Sequence, residues 1–338
     1  RRPPRSTLFP YTTLFRSSRL IGIGLVLLSA LSLSVQNVIL RLFFTPSLLF
    51  GQIPFGGFVT PQLGNVLVLL SMRMATMTVL LVMLTPWLYP KTFAVLRTLP
   101  TTPKLLGTVT ASGVCLFLGL TLLYTALGQV ATGVAIATFF IYPAITILLA
   151  WQFFHQSPRS YQLGLMVVIF TGVLFTTISP SAAAASNPLL GGLCALGAGL
   201  SFGLYGIVAE LSLHTQSSYP GLHPVPFSLA TFALVAMLAG LIPLTHQSIT
   251  IAPTAWPPIL AMTLFSATFT LIAYVLNNSG ISLIGASLTA LLSASTPALT
   301  TLFAWWILQE VLQPQQTMGI GLVTMGVATL SLKSRKDN

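Results

Sequence analysis

The chain has 338 residues, 54% of them hydrophobic and only 5% charged, with a mean hydropathy of +0.91. Water-soluble domains carry about 25% charged residues, so this inventory cannot furnish an aqueous surface, and lipid is the expected solvent. Fourteen basic residues against three acidic ones give a net charge of +11, but they are too few and too scattered for a nucleic-acid footprint, and no nucleic-acid partner is expected.

In chain order, the first stretch, Arg1 to Ser17, reads RRPPRSTLFPYTTLFRS, basic and proline-containing, and the composition changes abruptly at Arg19. It resembles, residue for residue, an in-frame translation of a common short-read sequencing adapter. Residues 1–18 are therefore set aside as non-native, as a fusion scar would be; a basic targeting peptide is the competing reading. Without the four arginines of that stretch, ten basic residues stand against three acidic ones, a net charge of +7.

A membrane span needs about 20 mostly apolar residues. Ten such runs follow: Leu20–Phe44, Asn65–Tyr89, Lys104–Leu127, Ala131–Phe154 and Tyr161–Ile178, then Pro188–Leu213, Phe227–His246, Trp256–Asn277, Ile284–Leu308 and Gln316–Leu332. Turn chemistry separates them at Ser179-Pro180, Asn187-Pro188, Tyr219-Pro220-Gly221, Ala252-Pro253 and Gln313-Pro314. The low-complexity run Ala182 to Ser186 reads as the loop between two sets of five. Cys115 and Cys194 both lie within apolar runs and form neither a disulfide framework nor a metal spacing. No metal or cofactor is expected.

Lys and Arg in short loops set orientation. Arg19, Lys91, Arg97, Lys104, Arg159, Lys333, Arg335 and Lys336 all fall on the side of the N-terminus, and none falls in the opposite loops. Both termini are thus expected in the cytoplasm, in a multi-pass protein of the cell membrane.

The two sets of five repeat one another. Pro143-Ala-Ile-Thr-Ile-Leu-Leu-Ala-Trp151 matches Pro297-Ala-Leu-Thr-Thr-Leu-Phe-Ala-Trp305, 154 positions on, and Gly172-Val173 matches Gly326-Val327 at the same offset. Upstream, Leu31-Ser32 pairs with Leu200-Ser201 and Gly22 with Gly191, 169 positions on; the longer first loop, Thr45 to Gly64, absorbs the difference. Five is odd, so the halves must insert in opposite senses, an arrangement associated with secondary transporters. The expected fold class is all-α integral membrane, ten transmembrane helices as two inverted five-helix repeats, at 19–179 and 188–333, with a short tail at 334–338.

On Tyr124-Thr-Ala-Leu, the run around Pro143, Gln162-x-Gly164, Pro297, Ala304-Trp305, Gln309-Glu310 and Gly319 … Gly326-Val327, the chain from Arg19 to Leu332 resembles the EamA-type branch of the drug/metabolite transporter superfamily. Members often end the fourth and ninth helices with a glycine and an acidic residue; Glu310 fits, while His155-Gln156 departs. The resemblance implies a ten-helix secondary transporter of metabolites, amino acids or related solutes, and leaves the coupling ion open. It is not an enzyme on this reading. The alternative is a non-transporting sensor or scaffold subunit, which predicts an interior without a cavity.

Individual residues carry both functional and plain readings. Pro143 and Pro297 are expected mid-helix, where proline removes a backbone hydrogen bond and kinks the chain; paired interruptions point to a midplane site, packing kinks being the rival. Arg73, about a third of the way into the second span, must face a cavity or partner or else snorkel. Glu210 is the carboxylate within a span, near its cytoplasmic end, with interfacial and coupling roles both open; Arg41, its counterpart 169 positions earlier, belongs to the opposite face. Gln36, Asn37, Tyr124, Tyr142, Tyr205, Tyr274, Asn277 and Asn278 are candidates to line a solute path, with interhelical hydrogen bonding as the rival. The histidines, His155, His214, His223 and His246, read as dispersed surface groups without metal spacing. No Walker or dinucleotide pattern is present. Expected partners are a small-molecule substrate, the bilayer and, as an option, a second copy of the chain.

Overall fold

A computed structural model describes residues 11–44, 46–60, 62–129, 132–155, 158–177, 188–215, 219–241, 249–309 and 313–336. The apolar runs form helices α1 (Tyr11–Phe44), α2 (Leu63–Leu88), α4 (Pro103–Gln129), α5 (Thr132–Phe139), α6 (Tyr142–Phe154), α7 (Ser160–Thr177), α8 (Pro188–Leu213), α9 (Pro224–Leu241), α10 (Trp256–Ser293), α11 (Thr296–Leu308) and α12 (Pro314–Lys336). A short α3 (Thr92–Thr98) occupies the loop after α2. Among the described residues, α1, α2, α4, α8, α9 and α10 are long and apolar enough to cross a membrane, and α6, α7 and α11 are shorter apolar helices. The helix α1 begins at Tyr11, upstream of the expected start at Leu20. The expected extension of the seventh span to His246, the Ala182–Ser186 loop, Gln156 and Glu310 lie outside the described residues.

The loop between α1 and α2 is not irregular. It folds into an antiparallel hairpin, β1 (Ser47–Leu49) and β2 (Ile53–Phe55), with Ser47 opposite Phe55. The Phe50 amide donates to the Ile307 carbonyl at 2.8 Å, which fastens the hairpin to the end of α11.

Two corrections concern the broken helices. The fourth expected span divides into α5 and α6, and Pro143 stands in the first turn of α6. In the other half, α10 runs past the expected end at Asn277, breaks at Gly285 (φ 78°, ψ 163°), resumes at Ala286 and stops at Ser293; Pro297 stands in the first turn of α11. Both prolines follow a two-residue interruption in which Ile141, Ala294 and Ser295 keep right-handed helical dihedrals. Each occupies the helix start, where its missing N–H has no intrahelical partner to lose. Both second segments end on a left-handed residue other than glycine, His155 and Gln309, each at φ 54° and 154 positions apart. These are the positions where the family resemblance leads one to expect glycine, which adopts that conformation at no steric cost.

Packing pairs α1 with α10, α4 with α8, α2 with α9 and α7 with α12, while α6 leans on α8 and α11 on α1. Close approach at the α7–α12 crossing requires glycine. A Cβ on Gly172 would lie 2.9 Å from the Gly319 carbonyl and the Val323 amide, and one on Gly326 would lie 2.6 Å from Ile169. Gly172→Val is expected to force the two helices apart, costing about 1–3 kcal/mol and lowering the melting temperature in detergent. Gly164→Ala, on the same helix but facing open space, should leave it unchanged.

Candidate functional site

The two breaks converge. Phe139, Phe140 and Tyr142 from the α5/α6 junction and Ser293 and Thr296 from the α10/α11 junction line one cavity of about 100 Å³. Ser29 of α1, Phe202 and Tyr205 of α8, and Tyr274 and Asn277 of α10 complete much of its wall. The Ser293 hydroxyl donates to Asn277 Oδ1 at 3.2 Å, tying the second break to the body of α10. A larger open depression lies between the hairpin, Pro258 and Leu308, away from the breaks.

Of the expected path residues, Tyr142, Tyr205, Tyr274 and Asn277 line this cavity. Tyr205 donates to Asn278 Oδ1 at 2.8 Å and Asn278 in turn donates to Ser228 Oγ at 2.9 Å, tying α8, α10 and α9 together. Gln36 is buried outside the cavity wall. Asn37 donates to Thr300 at 3.3 Å, between α1 and α11. Asn277 and Asn278 belong to the helix interior and not to a span end, because α10 continues through them.

Arg73 is 1% exposed, so it does not snorkel. Its guanidinium donates to the Tyr124 hydroxyl and, at 3.0 Å, to Thr270 Oγ1, while Nε has no partner. An intramembrane cation must be held by such groups. This knot joins α2, α4 and α10, but it lies outside the cavity wall.

Glu210, 3% exposed, works at the other break. Gly285 leaves the Ala286 amide without a helical acceptor, and Glu210 Oε2 accepts it at 2.6 Å. A carboxylate at a new helix N-terminus satisfies a free donor and meets the positive end of the helix dipole. One turn on, His214 Nε2 donates to the Ser282 carbonyl at 2.9 Å, and its Nδ1 lies 3.6 Å from Glu210 Oε1. The Glu210 carboxylate raises the His214 pKa, against the opposing effect of burial. The pair thus clamps both sides of one break, a role the sequence reading of a surface histidine missed. His223 also departs from that reading: its ring stacks on Tyr89 at 4.1 Å, and burial lowers its pKa. His155 is exposed, as a surface group would be, and His246 lies outside the described residues.

Sequence reasoning also missed Thr289, Thr296, Ser293, Phe139, Phe140 and Phe202 as cavity residues. The signal for two of them was the polar run Ser293-Ala-Ser-Thr296 directly before Pro297, where proline disfavours a continuous helix.

These features define a polytopic membrane protein whose cavity is framed by two interrupted helices. The profile of the EamA-like transporter family matches residues 189–332. The uncharacterized transporter sll1319 of Synechocystis is 34% identical over 92% of this chain and 93% of its own length. The uncharacterized transporter YwfM of Bacillus subtilis is 28% identical over 67% of this chain and 73% of its own. A crystal structure at 14% identity covers 94% of this chain and 99% of its own with a TM-score of 0.63, a likeness of fold alone. The chain belongs to the EamA-like transporter family.

Two measurements test this geometry. Tyr124→Phe strips an acceptor from a buried cation and is expected to cost about 1–3 kcal/mol; a thermal-unfolding cycle with Arg73→Met should show coupling of about 0.5–3 kcal/mol, and additive losses would refute the knot. For His214, a folded-state pKa above the ordinary 6.5 means its stabilisation is complete below 6.5 and fades as pH rises through the raised value. The gap in melting temperature between wild type and His214→Gln should therefore narrow from pH 6 to pH 8.5.

Proposed function

We propose that the protein is a secondary transporter moving a small metabolite across the cytoplasmic membrane by alternating access between two inverted five-helix repeats. The observation that carries this reading is the cavity set where two equivalent helices are both interrupted. In a bilayer, irregular backbone is tolerated only where protein or a water-lined cavity satisfies it, and interrupted helices at matching places in two halves mark transporter sites.

The packing supports the repeat. Exchanging α1 with α8, α2 with α9, α4 with the first part of α10, α5/α6 with the rest of α10 and α11, and α7 with α12 carries α1–α10 into α8–α4, α6–α8 into α11–α1, and maps α2–α9 and α7–α12 onto themselves. Equivalent left-handed ends at His155 and Gln309 agree with it. Under this exchange the units are residues 19–179 and 188–333. The basic-loop asymmetry supports cytoplasmic termini, and Lys333 over the Tyr161 ring at 5.0 Å draws the end of α12 to the start of α7.

Pro143 and Pro297 then act as fixed starts of half-helices and not as flexible kinks, and rocking is read at the junctions before them. Glu210 with His214 is read as the clamp on the cytoplasmic break, with Arg73 as the static tie between halves. A sensor or scaffold has no need of the cavity.

Proteoliposomes carrying the protein are expected to move at least one member of a radiolabelled metabolite panel, and Ala290→Phe, which fills the cavity, should abolish that flux with little change in melting temperature. Folded protein without flux across a broad panel would overturn the proposal.

A further inference from the structure

The cavity holds more information than its location. Its wall contains no residue that is charged at neutral pH: the ionisable side chains on it are tyrosines. Arg73 lies outside it, with both terminal nitrogens directed to Tyr124 and Thr270. The helix ends add no net charge either. At each break the C-terminus of one segment faces the N-terminus of the next two residues on, so their opposite partial charges largely cancel, and Pro143 and Pro297 each lack an N–H to offer. An ion entering here would lose its water without gaining a counter-charge, a cost of several kcal/mol.

The wall also combines aromatic rings with short hydroxyls. From α5, α6 and α8 come rings in edge contact: Phe139 with Phe140 at 5.3 Å and 87°, and Phe139 with Phe202 at 5.0 Å and 88°. Among the rings stand short hydroxyls: Ser29 of α1, Thr146 of α6, and Thr289, Ser293 and Thr296 of the second broken helix. Ser29 and Thr146 have their hydroxyls satisfied by backbone carbonyls at 2.7 and 2.9 Å, and Ser293 by Asn277. Thr289 and Thr296, each 2% exposed, have hydroxyls with no partner. Buried polar groups normally find one; Thr121, Thr263 and Ser266 lack one too, away from the cavity, whereas the two wall hydroxyls are those that a solute in the cavity would reach after a small side-chain movement. A dry cavity of about 150 Å³ accommodates benzene; this one, at about 100 Å³, takes a single ring only after small side-chain movement.

We infer that the site takes a small, net-uncharged planar solute, an aromatic or heteroaromatic ring carrying one hydrogen-bonding amide or hydroxyl, with its ring against Phe139, Phe140 and Phe202 and its polar group on Thr289 and Thr296. This rests on the reading of the cavity as the substrate site. Charge selects by exclusion, and the two threonines select the polar substituent.

Nicotinamide, nicotinate and 1-methylnicotinamide share one ring and differ in charge, and binding of each to the full-length protein in detergent, by calorimetry and thermal shift, tests the class. Nicotinamide is expected to bind at least about tenfold more tightly than either ion. Thr289→Val combined with Thr296→Val should weaken it by about tenfold, the worth of one or two hydrogen bonds. The same variant without ligand should melt no lower than wild type, because it removes unpaired hydroxyls. Equal or tighter binding of an ion, no binding of nicotinamide, affinity unchanged in the double valine variant, or binding that survives Ala290→Phe would each overturn the inference. Flux of a charged metabolite would overturn this substrate class and leave the transport reading intact, whereas absent flux over the whole panel would remove the transport reading itself.

Discussion

Within a bilayer, a peptide group that leaves its helix has no water to bond to, and each unsatisfied N–H or C=O costs several kcal/mol. Helices can therefore stop inside the membrane only where neighbouring protein takes over their loose ends. The breaks at Phe140-Ile141, at Gly285 and at Ala294-Ser295 are places where this condition is met. Their neighbours supply the remedy: a proline that has no N–H to leave unmet, serine and threonine hydroxyls turned back on carbonyls, and the Glu210 carboxylate on the Ala286 amide. The cavity follows from the same condition, since two interruptions at one depth leave a space that continuous helices would have filled.

Around that space Arg73, Glu210 and His214 are given fixed tasks. Arg73 binds three helices through Tyr124 and Thr270, and Glu210 and His214 hold the break at Gly285. With the charges occupied elsewhere, the cavity wall is left to aromatic rings, small residues and hydroxyls. An aromatic wall with few polar groups is the usual composition of a small-molecule site, where the polar groups fix orientation.

Much of this architecture is legible in the residues. Apolar runs locate the spans because lipid leaves few alternatives, and Pro143 and Pro297 mark the interruptions because proline cannot sit unnoticed in a helix. The kind of interruption was less legible: proline is compatible with a kink and with a helix start, and only the tertiary neighbours decide between them. Gly285 fell inside the expected ninth span, Ile284–Leu308, since nothing local says that α10 would continue through Asn277 and Asn278. Tyr142, Tyr205, Tyr274 and Asn277 stood out as polar groups in apolar runs, whereas Thr289 and Thr296 did not, because a threonine hydroxyl in a membrane helix commonly bonds to its own backbone four residues earlier. His214 was read as idle for want of a visible partner, and the partner was one helical turn away, facing the same break.

The pairing of α1 with α10 and of α7 with α12 has a bearing on biogenesis. When the ribosome has delivered only α1 to α7, the faces of α1 and α7 destined for burial still lack the segments that cover them. The grooved face around Gly172 stays open to lipid until the final helix has been inserted. The segment from α1 to α7 is then not a self-sufficient folding unit. Truncation before α12 should leave an unfinished bundle for the cell's quality control to remove, and the sequence-distant nature of these contacts places completion of the molecule after synthesis rather than during it.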